Sequence, residues 1–142
     1  MLNEIITGIS QKLNATFGDG YEIYENDVEQ GLEEPCFFVA VLEPGSSPLI
    51  GTRQIRQYPI DVHYFPKQPG NNVELFTVAE TLMVALEFIP MADGLPLRGF
   101  SMSYKTVDGV LHFFVTYKPI VVQPKEEIPM ETLTTDIGTK KG

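Results

Sequence analysis

Few residues in this sequence of 142 could do chemistry: two histidines, His63 and His112, and a single cysteine, Cys36. Asp61 and His63 stand two apart in a stretch that alternates apolar and polar residues, so a strand there puts both side chains on one face. That spacing hints at a pair. A nucleophilic triad, however, needs a nucleophile and an orienting acid converging on one imidazole, and nothing in the spacing supplies them, so each histidine reads first as a solvated strand residue. One cysteine and two histidines spread along the chain are too few for a zinc site of the usual spacing. Neither G-x-x-x-x-G-K nor G-x-G-x-x-G occurs, which removes the common phosphate-cradling loops. Carboxylates are plentiful, yet none lies in an apolar run that would raise its pKa. The expectation is a protein without a catalytic, cofactor or metal site, and not an enzyme.

Charge narrows the partners. Ten Lys and Arg against nineteen Asp and Glu leave a net charge of -9, so the surface repels phosphate and general nucleic-acid binding is excluded. Seven acids and no base fall between Asp19 and Glu34: Asp19, Glu22, Glu25, Asp27, Glu29, Glu33 and Glu34. This is a solvated strand edge and loop or an electrostatic docking surface; Asp27 to Glu34 does not match a calcium-binding loop. Arg53 and Arg56 punctuate the chain further on, three apart and hence on opposite faces of a regular strand. They are ordinary surface arginines or partners of the acidic segment across a subunit interface. A lone cysteine makes no internal disulfide, no apolar run reaches the roughly 20 residues that cross a bilayer, and Met1 to Glu4 carry no basic flank. An intracellular, reduced, soluble protein with no membrane partner is expected.

The elements that must position these residues follow from periodicity. Leu2, Ile5, Ile6, Ile9 and Leu13 form the stripe of an amphipathic helix that Gly18-Asp19-Gly20 stops. A short strand is expected at 21–25. Cys36 to Leu42 is apolar at every position, so both faces of that strand need cover: a helix on one, a second layer or a neighbouring subunit on the other. Phe38 is thereby a contact candidate. Glu43 to Pro48 reads as a flexible connector, a mobile arm. A long strand between about Ile50 and Phe65 alternates Tyr58, Ile60, Val62 and Tyr64 against Gln57, Pro59, Asp61 and His63. Pro59 lacks an amide proton, which predicts an edge or a bulge open to pairing with another chain. A second helix is expected over 72–88, with Val73, Phe76, Ala79, Leu82, Met83 and Leu86 as its stripe.

Val107-Asp108-Gly109-Val110 carries the Asp-Gly pair of a two-residue hairpin turn. Pairing Val107 with Val110 sets Tyr104 opposite Phe113, Met102 opposite Val115 and Phe100 opposite Tyr117 on one face. Lys105 with His112 and Ser101 with Thr116 fall on the other. Phe114 lands on that polar face beside Ser103 and is a further contact candidate. Beyond Val122 two prolines and scattered apolar residues predict a flexible tail over 123–142, with Ile128, Met130 and Leu133 as possible anchors. One α+β domain over 1–122 results, a mainly antiparallel sheet of about five strands with two helices packed on one face.

Three stretches together resemble the phage tail terminator family, proteins of prophages and phage-like particles in Gram-positive bacteria: Glu29 to Val39, Arg53 with Asp61-Val62-His63-Tyr64-Phe65-Pro66, and Val107 to Val115. The resemblance covers about Leu2 to Val122. It implies a virion structural protein, made in the bacterial cytoplasm, that forms a ring, usually hexameric, on the end of the tail tube. The ring stops tube polymerisation and meets the head-tail connector or a sheath protein, or caps a headless particle. The alternative is another head-tail joining, head-completion or tail-assembly accessory protein. The resemblance brings no catalytic residues and no cofactor. A closed ring needs two different patches on each subunit. The charge of -9 per copy would let DNA pass through the ring without specific binding. Arg53, Arg56, Phe38, Pro59, Asp61, His63, Phe114, Glu29, Glu33 and Glu34 are the candidate subunit and partner contacts.

Overall fold

The structure is a computed structural model that describes residues 1–25, 33–68, 70 and 72–122. Glu29, Asp27 and the expected tail over 123–142 lie outside the described residues. Helix α1 spans Leu2–Phe17, buries Ile5, Ile6, Ile9 and Leu13, and ends where Gly18 takes φ 83° and donates its N–H to Asn14 O. Strands β1 (Glu22–Glu25), β2 (Cys36–Val41), β3 (Gly45–Pro48) and β4 (Arg53–Phe65) follow. Helix α2 (Asn72–Ala85) leads into β5 (Phe88–Ile89), then β6 (Leu97–Val107), β7 (Val110–Tyr117) and β8 (Ile120–Val122).

The expected α+β class holds, with eight strands where about five were expected. The main sheet runs β1-β2-β4-β7-β6-β5; β1 and β2 are parallel and the remaining pairs antiparallel. Both helices contribute to a core against one set of alternate strand residues. Ile5, Ile9 and Leu13 from α1 and Leu75, Ala79 and Leu82 from α2 join Phe37, Val39, Ile60, Val62, Tyr64, Leu111, Phe113, Val115 and Tyr117. All are at most 1% exposed.

Three expectations about these elements change. Glu43 to Pro48 is not a free connector: Gly45–Pro48 pairs with Gln54–Gln57, and β8 pairs with Arg53–Ile55, so the first half of β4 forms a three-stranded extension. Pro59 is not on an edge, since β4 lies between β2 and β7 with Pro59 opposite Thr116. Leu42 N donates to Pro59 O at 2.9 Å. In an antiparallel pair a residue's N–H and C=O point the same way, so the missing donor faces the end of β2, where pairing stops. Helix α2 is turned from its expected stripe: Leu75, Val78, Ala79, Leu82 and Ala85 are buried, while Val73 and Phe76 are 75% and 46% exposed. It is apolar nearly all round, so periodicity fits more than one face.

The hairpin register holds from Val107↔Val110 through Lys105↔His112 and Tyr104↔Phe113 to Ser103↔Phe114. Asp108 (φ 52°) and Gly109 (φ 78°) supply the two positive φ angles the turn requires. A bulge between Phe100 and Ser103, with Ser101 at φ 57°, then shifts the pairing. Phe100 faces Thr116, and Gly99 faces Tyr117. The expected pairs Phe100–Tyr117, Met102–Val115 and Ser101–Thr116 do not form. A Cβ at position 99 would lie 2.7 Å from Val115 Cγ2 and 2.9 Å from Leu86 O, so the position opposite Tyr117 has no room for a side chain.

Candidate functional site

The strand residues not used by the core make up the second face of the sheet. Register places Phe38, His63, His112 and Lys105 in one row across β2, β4, β7 and β6, and Ala40, Asp61, Phe114 and Ser103 in the next. No helix covers this face among the described residues. Phe38, Phe65, His63, His112 and Phe114 are half-buried by one another.

Asp61 sits in the middle and is buried. Its Oδ2 lies 2.9 Å from His63 Nε2 and 3.2 Å from His112 Nδ1, and its Oδ1 is buried without a hydrogen-bond partner among the described residues. The imidazole centroids are 4.4 Å apart. The expected Asp61–His63 pairing is thus present, and His112 joins it. Neither histidine is the solvated residue that alternation suggested. The Lys105–His112 pairing was legible from the Asp-Gly turn. The approach of His112 to Asp61 was not, because the β4–β7 pairing between distant segments has no local signal.

Other reactive groups are quiet. Burial, and after it the charges of Glu34 and Glu22, push the Cys36 thiol up from 9.0 to about 11, so it stays protonated near neutrality and is a poor nucleophile. Tyr64, hydrogen-bonded to Glu74, and Tyr117, whose hydroxyl donates to Leu86 O at 2.7 Å, are both raised, each chiefly by burial.

Arg53 and Arg56 belong to the extension, away from the Asp61 row. Arg53 is exposed beside Val122, and Arg56 lies opposite Ser46, its backbone N–H on Pro119 O. Neither forms an ion pair among the described residues. Glu33 and Glu34 are exposed just before β2, and Glu33 N donates to the Tyr24 hydroxyl at 3.1 Å. The expected contacts therefore do not converge: Phe38, Pro59, Asp61, His63 and Phe114 share the second face, the arginines lie on the extension, and the acids flank β2.

Two exposed apolar groups escaped the sequence reading. The extension carries Leu49 (41% exposed), Ile50 (91%), Ile120 (60%) and Val122 (64%). Helix α2 presents Val73, Phe76 and Val84 along an open groove shared with Lys12 and Thr16 of α1. Their only sequence signal was an excess of apolar residues over what one stripe requires.

No helix is long and apolar enough to cross a membrane among the described residues. A search of curated proteins finds no match. A solved structure of a protein without a descriptive name is similar at 13% identity and a TM-score of 0.45, over 89% of this chain and 99% of that one. A family profile described as phage tail terminator protein matches residues 4–129, a span that takes in all eight strands, α2 and all but the first residues of α1. The chain therefore belongs to the phage tail terminator proteins, a structural family of phage tail assembly.

Proposed function

We propose that this chain ends tail growth by forming a closed ring, a hexamer, on the last layer of the tail tube. The match to the terminator family over residues 4–129 carries the reading. The surface supplies a physical route. A ring closes through a heterologous interface, in which one patch of each subunit meets a different patch of the next. The extension with Leu49, Ile50, Ile120 and Val122 is one such patch, and the α2 groove with Val73, Phe76 and Val84 is another on different elements. Isolated apolar side chains are ordinary on a monomer, whereas several exposed on one part of the fold point to a contact surface. Arg53 and Arg56 beside the first patch pair with Glu33, Glu34 and Glu29 of a neighbour and set the register of docking.

In this reading the domain over 1–122 forms the ring. The second face, with Phe38, Asp61, His63 and Phe114, lies toward a partner rather than toward solvent. The acidic ring lets DNA through without holding it. Assembly takes place in the bacterial cytoplasm, and the protein stays in the finished particle.

The test is electron microscopy of particles from cells lacking this protein, beside complemented ones. Tails of uncontrolled length or without a closed end, rescued by complementation, are expected. Tails of normal length and finish from the deletion would overturn the reading.

A further inference from the structure

The cluster on the second face has a composition that packing does not require. Asp61, His63 and His112 each present one ligand atom, and these atoms lie within 4.8 Å of one another. We propose that Asp61, His63 and His112 bind a divalent transition-metal ion of the zinc class, with one coordination position open on the uncovered face of the sheet.

The donor set selects the ion. Two imidazoles and one carboxylate suit zinc and its neighbours, whereas calcium and magnesium look for six or more oxygens that this site does not have. The spacing is close to what coordination needs. A tetrahedral ion with bonds of about 2.0–2.1 Å holds its ligand atoms roughly 3.3 Å apart. The separations from Asp61 Oδ2 are 2.9 Å to His63 Nε2 and 3.2 Å to His112 Nδ1, so small side-chain rotations on a fixed backbone admit the ion. That backbone is rigid here: His63 and His112 are register partners on adjacent central strands.

The second observation is electrostatic. Asp61 is 7% exposed, its neighbours offer positive charge only when protonated, and Oδ1 is buried with no hydrogen-bond partner among the described residues. A buried carboxylate oxygen is ordinarily satisfied by a donor or an ion. A cation held at Oδ2 balances the charge of this buried carboxylate. Three protein ligands with an open fourth position is a coordination that accepts water or a ligand from outside the chain. The rings of Phe38 and Phe114 flank the histidines and limit the access of bulk water.

The test uses the purified full chain, stripped with a chelator and titrated with zinc at neutral pH against a chromophoric competitor. One equivalent is expected to bind. Asp61→Asn, His63→Gln and His112→Gln should each weaken it by more than the 10–100-fold that loss of a merely supporting partner costs, about 100-fold or beyond. Cys36→Ser should leave it unchanged. Wild-type affinity no better than that of His112→Gln, or retained in any two of the three variants, would overturn the proposal. Should a variant fail to fold, the wild type alone decides: zinc must shift the ring-nitrogen resonances of both histidines, and an unmoved His112 rejects the site. Because the isolated chain is measured, the outcome is independent of whether the protein terminates tails.

Discussion

The two faces of the central sheet are built from the same strands, yet they differ in kind. On the helix side, Phe37, Val39, Ile60, Val62, Leu111 and Phe113 are all 0% exposed, and every position fills volume. On the other side the intervening residues Phe38, Asp61, His63, His112 and Phe114 mix rings with ionisable groups, and only Asp61 is buried. Alternation along a strand gives one stretch of chain two independent jobs. The first face satisfies the fold, and the second keeps polar chemistry that the fold does not need.

Phe113 and Phe114 are neighbours in β7 on opposite faces, so they give the largest contrast. Phe113→Ala should cost about 3–5 kcal/mol, the price of a core cavity, in urea unfolding of the isolated protein. Phe114→Ala should cost about 1 kcal/mol, because a half-buried ring has less to lose. Equal losses at low protein concentration would mean that the second face is already covered by the chain itself, and the distinction between the faces would fail.

The helix layer can be tested for tightness next. A Cβ at Gly8 would lie 2.5 Å from the Pro90 carbonyl oxygen, where α1 crosses the end of β5, so Gly8→Ala should destabilise by about 1–3 kcal/mol through overpacking. Gly20→Ala, with nothing within 4 Å and no positive φ, should change stability by less than about 0.5 kcal/mol. Differential unfolding midpoints check both. A tolerant Gly8 would show that α1 can slide, and the covered face would be less closed than its burial suggests.

What the residues told in advance divides along the same line. Elements with a local signature were readable: the stripe of α1, the Gly18 stop, the alternation around Asp61, and the turn at Asp108-Gly109 down to Ser103. Features that depend on partners far along the chain were not. Pro59 looked like an edge because a missing N–H is a local fact, whereas the end of β2 beside it is not. Phe100 was placed opposite Tyr117 because a bulge at Ser101 leaves no mark in an alternating pattern. The Asp61–His63 pair was visible two residues apart, but His112 enters only through the register of β4 with β7. The outward side of α2 was hidden because the helix is apolar nearly all round.

Cys36 sharpens the contrast, since it shares the parity of Phe38 yet is 0% exposed. Its thiol is raised from 9.0 to about 11, so the folded state holds the proton more tightly than the unfolded state. The stabilisation is complete below about pH 9 and is lost as pH rises toward 11. Urea midpoints should fall more steeply across that window for the wild type than for Cys36→Ala, and the comparison cancels the tyrosines. Alkylation of the native thiol should be slow at pH 8 and accelerate only toward pH 11. Rapid alkylation at pH 8 would place Cys36 on the open part of the face.

The smallest expected change in stability falls at Ile50, in the turn between β3 and β4. It is 91% exposed, so Ile50→Asp removes no packing and should leave the unfolding free energy within about 0.5 kcal/mol of wild type. If the extension docks against a neighbour, the same substitution buries a carboxylate among apolar groups in the assembly and should abolish stable association with tube ends, read as uncontrolled tail length in complementation. Val84→Asp on α2, 78% exposed, should do the same from the opposing patch. Mixing the two variants then discriminates between kinds of interface. In a heterologous ring each defective subunit still offers one intact patch, so the mixture forms limited pairs and not closed rings. An isologous contact made by the extension alone would be broken by Ile50→Asp and untouched by Val84→Asp, which would move the working surface of the molecule off the helices altogether.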